Sequence, residues 1–432
     1  MSSYNRPIQV FEYTTLNVDE NSCFKRRHWQ LLGWYNETHG GQHFSLTPNG
    51  VRFHQFVGVI QVGELLIEIL PKVGKLAKES EKTVWRDVLL EMLTECHWMH
   101  IHSNEKAALR HRPNSILEAY LELFVYECEQ LIRAGLVKKY RFQEKNCKAL
   151  KGKLIFSKNI QHNLVHQENF YTRHQVFDQD HLINQILLKA LQLVGAISKS
   201  PLLKDRVQSL LLNFPELSDL KVTKATFDRI NLNRKTDSYR EALEISAMLL
   251  LNYRPDISGG SNNVLAILFD MNDLWEEYIF RQLAKYRKDA WTVRPQSQKR
   301  FWHSDNERSF KLIKPDIVVQ IDEKYSIIVD TKWKLPESSN PADSDLKQMF
   351  VYNEFWNSKT ALLLYPAAAY SKLIEFKSGS FKKREDLLHL CGMLKISVLD
   401  ESNKKLDRDL GERLSNFIEE EFKRCLKLFP IN

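Results

Sequence analysis

The spacing of apolar residues changes along the chain and divides it into three regions. Residues 51–72 carry two apolar, β-branched runs that meet at Gly63-Glu64. Two such runs joined by two turn residues predict a β-hairpin. We therefore expect residues 1–113 to form a β-rich N-terminal domain, with one helix near residues 82–96.

Helical spacing takes over in the middle of the chain. Leu117, Tyr120, Leu121 and Phe124 recur at intervals of three or four, so they share one face of a helix. The same period returns in the run INQILLKALQLVGAI. Residues 114–254 are therefore predicted to be a mainly helical middle region.

A run of turn-forming residues, PDISGGSNN at 255–263, predicts a linker or domain edge. The next residues fit an amphipathic helix that begins at Asp270 or Asn272, since either can cap it. Further along we expect strands near 291–296 and at 308–321, 325–332, 360–365 and 393–399, with helices at 343–357 and 408–428. Residues 264–432 should thus form a C-terminal domain, a mixed sheet flanked by helices.

The whole pattern predicts a multidomain chain of α+β or α/β class. At 432 residues it exceeds the roughly 250–300 residues at which one hydrophobic core usually stops growing. Its 43% hydrophobic and 27% charged residues are typical of folded proteins. It shows no apolar run of about 18 residues and no signal-peptide pattern, so we expect no membrane segment and a cytoplasmic location.

Positive charge is concentrated in one segment, although the formal net charge of the chain is only +8. Residues 138–158 carry eight lysines or arginines against one acid, which leaves +7 within 21 residues. Tyr140, Phe142 and Phe156 interleave with these charges, as on surfaces that follow phosphates. The alternative is an ordinary solvated face. The DNA-binding candidates in this segment are Lys148, Lys151 and Lys153.

Two carboxylates and a lysine are expected together in the C-terminal sheet. Asp330 and Lys332 lie two apart in one predicted strand and share a face, while Thr331 points away. An adjacent antiparallel strand can place Asp316 beside them. Two carboxylates at one spot repel unless they share a cation or proton, and Mg²⁺ is the usual solution. Such an ion can polarise a phosphodiester oxygen, and Lys332 can orient or deprotonate the attacking water.

A bare Asp-x-Lys pattern at a strand end is often only a solvated terminus or an ion pair. Here it is accompanied by Glu276, an acid on the preceding predicted helix. Gln348 and Tyr352 stand four residues apart, hence on one face of the following helix. Glu277 is the alternative to Glu276 as the supporting acid. The set predicts a hydrolase site for phosphodiesters.

These residues resemble the PD-(D/E)xK, or restriction-endonuclease-like, nuclease fold. Its branch with a QxxxY motif after the catalytic lysine is matched by Pro315-Asp316, Asp330-Thr331-Lys332 and Gln348-x-x-x-Tyr352. Similarity to the McrC family, the endonuclease subunit of McrBC modification-dependent restriction systems, extends to IEILPK at 67–72, Gly152-Lys153-Leu154 with Asn184, and FDMNDLWEEYI at 269–279. It covers nearly the whole chain, although only the nuclease motifs are individually specific.

The resemblance implies an antiviral defence nuclease whose C-terminal domain cuts DNA. Its N-terminal domain would dock on a hexameric AAA+ GTPase of McrB type and stimulate GTP hydrolysis, and that partner would read methylcytosine. Mg²⁺, with Mn²⁺ as a possible substitute, would bind Asp316, Asp330 and Glu276. Lys332 would be the catalytic lysine, and Thr331 fills the variable middle position of the motif. The implied DNA contacts are Gln348, Tyr352 and Lys334.

Other motifs are set aside. Arg254-Pro255-Asp256 repeats the PD pair without a following DxK strand, and the Cys- and His-rich run at 96–102 matches no metal-ligand spacing. No GxxxxGK[ST] loop occurs, so the chain should hold no nucleotide site. The six cysteines include no CxxC pair, which indicates reduced thiols. Two alternatives stay open: an NTPase-activating subunit with a vestigial nuclease centre, and a QxxxY-type repair nuclease.

Overall fold

The structure is a computed structural model that describes residues 7–18, 23–74, 79–98, 115–254, 263–303, 309–322, 325–336, 340–367, 369–383 and 386–429. The chain divides into two units, Met1–His100 with Leu268–Asn432 and Ile101–Ile267. The predicted linker at 255–263 lies, apart from Asn263, outside the described residues. In the described part of the chain no helix is long and apolar enough to cross a membrane.

The helices and strands follow one another in three stretches of chain. The first holds β1 (Ile8–Phe11), β2 (Thr15–Asn17), α1 (Arg26–His39), β3 (Phe44–Thr47), β4 (Gly50–Phe53), β5 (Phe56–Val62), β6 (Leu65–Leu70) and α2 (Lys82–Glu95). The second holds α3 (Ile116–Ala134), β7 (Lys139–Cys147), β8 (Lys153–Leu154), α4 (Phe156–Asn163), β9 (Phe170–Asp178), α5 (Leu182–Ile197), α6 (Pro201–Asn213), α7 (Lys224–Asp228), α8 (Arg240–Leu251), β10 (Tyr253–Arg254) and β11 (Val264–Asp270). The last holds α9 (Met271–Lys285), β12 (Thr292–Pro295), β13 (Lys299–His303), β14 (Phe310–Ile313), β15 (Ile317–Gln320), β16 (Ser326–Thr331), α10 (Asp343–Trp356), β17 (Thr360–Ala367), β18 (Glu375–Lys383), β19 (Asp386–Ser397) and α11 (Leu410–Leu428).

The predicted N-terminal hairpin is confirmed as β5 and β6. Val62 pairs with Leu65 in antiparallel register, so Gly63 and Glu64 form the two-residue turn. Gly63 has φ 58°, in the left-handed region that glycine adopts without strain. Parallel pairing adds β1 to β6, and β2, β4 and β3 form a second sheet in that order. The helix expected near residues 82–96 is α2.

The middle region is helical in large part, as predicted, but it also contains a sheet. α3 and α5 bury the apolar stripes that the sequence showed. Strands β7, β9 and β8 form an antiparallel sheet in that order, which was not predicted from the sequence. In β7 the aromatic residues Tyr140 and Phe142 alternate with charged ones, and this period of two indicates a strand.

The C-terminal mixed sheet is present, with strand order β12-β15-β16-β17-β19-β18. β15 and β16 run antiparallel, whereas β16, β17 and β19 are mutually parallel. α10 packs against these three parallel strands, and its Met349 joins Ile328 and Leu363 in a buried cluster. Asp270 caps α9 by accepting from the Asn272 amide at 2.8 Å, which decides between the two predicted caps.

Three features of this sheet region differ from the predictions. The strand expected at 308–321 breaks at Lys314-Pro315-Asp316 into β14 and β15, because proline lacks the N–H that a ladder needs. β14 pairs instead with the unpredicted β13 in a separate two-stranded sheet. β18 was missed because it is mostly exposed and polar, and it has no apolar alternation.

Polar contacts join the N-terminal and C-terminal parts of the first unit. The Trp333 indole N–H donates to Glu12 Oε1 over 2.7 Å, and the Cys96 thiol lies 3.8 Å from the Leu274 carbonyl. The Met271 amide also donates to the Gln55 carbonyl at 2.9 Å. Residues predicted as separate first and third domains therefore lie in one unit, since contacts this distant in sequence leave no local pattern.

Candidate functional site

Asp316, Asp330 and Lys332 come together where β15 begins and β16 ends. Ile317 pairs with Val329 in antiparallel register, and one step beyond this pair lie Asp316 and Asp330. The Thr331 amide and hydroxyl both donate to Asp316 Oδ2, over 2.7 and 2.9 Å. Thr331, expected to point away as a variable position, therefore fixes one oxygen of Asp316 and leaves the other to a ligand.

Asp330 is a fully buried carboxylate with one cationic neighbour. Its side chain is 0% exposed, and the Lys332 ammonium lies 2.5 Å from Oδ2. Oδ1 has no hydrogen-bond partner among the described residues. Burial, and after it the charge of Asp316, raise the pKa of Asp330 above its usual range. A buried acceptor without a donor is costly, so this oxygen fits a bound cation or proton.

Lys332 is a cation held among acids. Burial by itself lowers the pKa of Lys332, but the charges of Asp330, Asp316 and Asp345 outweigh it, and the net shift is upward. Orienting a water and neutralising charge, two of the predicted roles of Lys332, both fit an ammonium held beside the Asp330 carboxylate.

Gln348 and Tyr352 link Lys332 to the backbone before Asp316. The Lys332 ammonium lies 3.5 Å from Gln348 Oε1, and Gln348 Nε2 donates to the Tyr352 hydroxyl over 2.8 Å. That hydroxyl donates in turn to the Lys314 carbonyl over 2.9 Å. Gln348 and Tyr352 therefore position two parts of the site: the Lys332 ammonium and the backbone segment that carries Asp316.

Glu276 lies in the same electrostatic neighbourhood. Burial, and then the charge of Asp316, raise the pKa of Glu276 to about 7. Gln296 connects the two acids. Its side-chain amide donates to Glu276 Oε1, and its backbone N–H donates to the backbone carbonyl of Asp316, both over 2.8 Å. Glu277 instead forms an ion pair with Arg281 at 2.5 Å. The geometry therefore favours Glu276 over Glu277 as the supporting acid.

The described residues contain no group of three or more His, Cys, Asp or Glu side chains that could hold a metal ion. Mg²⁺ usually keeps several waters and binds a protein through one or two carboxylates. Asp316, with one oxygen fixed by Thr331, and Asp330, with Oδ1 unpartnered, fit that requirement. Glu276 accepts from Gln296 through Oε1 only, and its role as a third ligand stays a prediction.

Sequence reasoning missed Asp345, an acid in the first turn of α10. It is 7% exposed, accepts from the Tyr365 hydroxyl over 3.3 Å, and lies 3.4 Å from the Lys334 ammonium. Its charge contributes to the raised pKa of Asp330. The signal was available, because Asp345 precedes Gln348 by three residues and so shares its helix face. Lys334, a predicted DNA contact, is tied to this acid but remains exposed.

The remaining predicted residues lie elsewhere. Lys148, Lys151 and Lys153 are exposed and belong to the second unit, around the turn that leads into β8. None of the six cysteines forms a disulfide in the structure. Of the set-aside motifs, Cys96 is buried, whereas residues 99–102 and the pair Pro255-Asp256 lie outside the described residues.

Comparison with known proteins gives a family and a fold. The family model described as McrBC 5-methylcytosine restriction system component matches residues 51–366. The chain is similar to one in the refined half-complex from a tetradecameric assembly of Thermococcus gammatolerans McrB AAA+ hexamers with bound McrC, with TM-score 0.67 and 17% identity over 95% of this chain and 100% of that chain. A chain of the cryo-EM structure of the Thermococcus gammatolerans McrBC complex has TM-score 0.49 and 18% identity over 66% of this chain and 88% of that chain. No curated protein matches.

Proposed function

Because the chain belongs to the family of McrBC 5-methylcytosine restriction-system components, we propose that it is the nuclease subunit of such a system, of McrC type. In this proposal it hydrolyses DNA phosphodiesters with Mg²⁺ at a PD-(D/E)xK centre. The observation that carries the proposal is that Asp316 lies beside a buried Asp330, whose Oδ1 has no hydrogen-bond partner among the described residues and whose Oδ2 lies 2.5 Å from the Lys332 ammonium. A vestigial centre would have no need for a costly buried carboxylate of this kind.

Each residue of the site has a distinct task in this proposal. Asp316 and Asp330 would hold Mg²⁺, which when bound supplies Lewis-acid polarisation of the phosphate and a lower pKa for bound water. Thr331 keeps Asp316 oriented. Lys332 offsets the negative charge that develops on the phosphate in the transition state. Gln348 holds Lys332 in place through its side-chain oxygen.

The proposed partner is an AAA+ GTPase of McrB type. Its support is the shared fold with a structure in which McrC is bound to McrB AAA+ hexamers. The sequence of this chain contains no phosphate-binding GxxxxGK[ST] loop, so nucleotide hydrolysis must be supplied by another subunit. Coupling the two subunits would restrict cleavage to DNA that the partner has engaged.

The test is Asp330→Asn in the full chain, assembled with its AAA+ partner. Asparagine keeps the shape of the buried side chain but removes its charge, so DNA cleavage should be lost while partner binding and stimulated GTP hydrolysis persist. Asp289→Asn, at an exposed position, is the matched control and should leave all three activities unchanged. Cleavage by Asp330→Asn at the wild-type rate would refute the assignment of this centre.

A further inference from the structure

The two-stranded sheet of β13 and β14 is unusually exposed for its composition. Every residue of β13 is exposed, as are three of the four in β14. Phe301 and Trp302 leave 50% and 54% of their surface accessible, and Phe310 and Leu312 leave 42% and 47%. A group of large apolar side chains on the surface of a protein usually marks an interaction site.

The hairpin carries a net positive charge. From Thr292 to Lys314 the sequence has six lysines or arginines against two acids, Asp305 and Glu307, which lie outside the described residues. A positively charged surface with exposed aromatic rings is complementary to a nucleic-acid backbone.

The guanidinium of Arg300 stacks 4.5 Å above the ring of Phe310, on the opposite strand. Stacking fixes the plane of the guanidinium and leaves its N–H edges available, so the group is pre-organised to bind a phosphate through two hydrogen bonds. Lys311, the neighbour of Phe310, pairs across the hairpin with Trp302. Arg300 with Phe310, and Lys311 with Trp302, therefore place a cation beside an aromatic ring on each face of the hairpin.

One face of the hairpin is anchored to the protein. The Lys299 ammonium donates to the Phe355 carbonyl over 2.6 Å and lies 5.0 Å from the Trp356 ring, and the Phe301 ring lies 5.6 Å from that of Phe355. These contacts hold the hairpin against the C-terminal end of α10. Arg300 follows Lys299 in regular register, before the irregularity between Arg300 and Trp302, and so points to the other face of the strand, away from α10.

The hairpin leads directly into the catalytic centre. From Ile313, the end of β14, to Asp316 is three residues, a span of at most roughly 10 Å. The carbonyl of Lys314 within that span accepts from Tyr352, which Gln348 links to Lys332. A phosphate bound on the hairpin would thus lie close to the bond that the centre cuts.

We propose that the β13–β14 hairpin is a DNA-binding arm of the nuclease, which grips the phosphate backbone of duplex DNA beside the scissile bond. The inference rests on the proposed nuclease function and adds to it a substrate-contacting surface. Arg300 binds a phosphate from the face that points away from α10. Lys311 binds one from the other face, where its cross-strand partner Trp302 packs its exposed ring against the sugars. An acidic protein surface is the competing occupant, and the experiment separates the two.

The test compares Arg300→Gln with Lys311→Gln, combined in the full chain, to the charge-matched control Lys372→Gln with Arg408→Gln at exposed positions outside the hairpin. Duplex affinity is measured by fluorescence anisotropy in EDTA over a range of salt, and single-turnover cleavage is measured with Mg²⁺ in the assembly with the AAA+ partner. Two lost phosphate contacts should lower duplex affinity and flatten the slope of log affinity against log salt by about 1.8. In the assembly, more DNA should be needed for half-maximal cleavage.

A hairpin variant that matches the control in both measurements overturns the inference. So does a variant that loses association with the AAA+ partner while its DNA requirement stays normal, because that result assigns the surface to a protein. A wild-type chain that neither binds nor cuts duplex DNA, even with Mg²⁺ and the partner, would refute the proposed function itself. Trp302→Ala gives a second measure, with lower duplex affinity and an unchanged salt slope expected.

Discussion

Ionisation of the buried Glu12 should make the stability of the protein depend on pH, and the substitution Glu12→Gln should remove this contribution. Its carboxyl is buried, and burial raises the pKa of Glu12 to about 8 from the ordinary 4.5. Oε1 accepts from the Trp333 indole and from the Lys72 amide, over 2.7 and 2.8 Å. Oε2 has no hydrogen-bond partner among the described residues. Glu12→Gln keeps the accepting oxygen and cannot ionise.

The sign follows from proton linkage. Between the two pKa values the folded state holds the Glu12 proton and the unfolded state has lost it, so stability falls as pH rises through this window. From pH 5 to pH 8, pKa values of 4.5 and about 8 give a loss on the order of 3 to 4 kcal/mol in the free energy of unfolding. The Gln variant lacks this loss, so its free energy of unfolding should increase relative to that of wild type between pH 5 and pH 8.

Urea unfolding followed by tryptophan fluorescence at pH 5, 6, 7 and 8 measures the difference between wild type and Glu12→Gln. Subtracting the two curves removes every other titrating group that both proteins share. The matched control is Glu401→Gln, an exposed acid in the same unit, for which the difference should stay constant with pH. A constant difference for Glu12→Gln as well would refute the reasoning, because it would mean that Glu12 has the same proton affinity in both states.

Three further predictions concern the site and its substrate. Thr331→Val removes a hydroxyl that donates to Asp316 and should lower both the free energy of unfolding, by about 1 kcal/mol, and the cleavage rate, with Thr331→Ser restoring both. Gln in place of Lys148, Lys151 and Lys153 should flatten the salt slope of DNA binding by roughly 0.9 per lost phosphate contact; an unchanged slope with a lower stimulated GTPase rate would assign these lysines to the partner. EDTA should abolish cleavage and added Mg²⁺ or Mn²⁺ should restore it, whereas persistent cleavage in EDTA would exclude a metal-dependent reaction.

Local sequence pattern predicted those elements whose burial is regular. The hairpin around Gly63, α2, α9, β16 and α10 each have one apolar period and clear end signals, and the structure confirms them. The strands that were missed, β13 and β18, are exposed on most of their length, so no core imposes an alternation on them. β7 alternates, but its pattern is aromatic and charged rather than apolar and polar, and it was interpreted as a charged surface segment.

The same distinction applies to the candidate site. Asp330 and Lys332 were predictable because the period of a strand fixes which residues share a face. Gln348 and Tyr352 followed from helical spacing in the same way. Glu12, by contrast, reaches Trp333 across more than 300 residues of sequence, and Gln296 joins Glu276 to Asp316 from a loop with φ 46°. No period in the sequence connects such partners.

The negative charge of the candidate site comes from three aspartates, and their neighbours stabilise it only in part. Asp316, Asp330 and Asp345 place three carboxylates near the Lys332 ammonium, and a second ammonium, that of Lys334, lies 3.4 Å from Asp345. Such a cluster is unfavourable in a folded protein without a further cation, and burial of Asp330 increases the cost. Hydrogen-bond donors to Asp316 and Asp345 offset part of this cost. Oδ1 of Asp330 has no donor among the described residues. This oxygen without a donor therefore lies where the proposed function requires a metal ion to bind a phosphate.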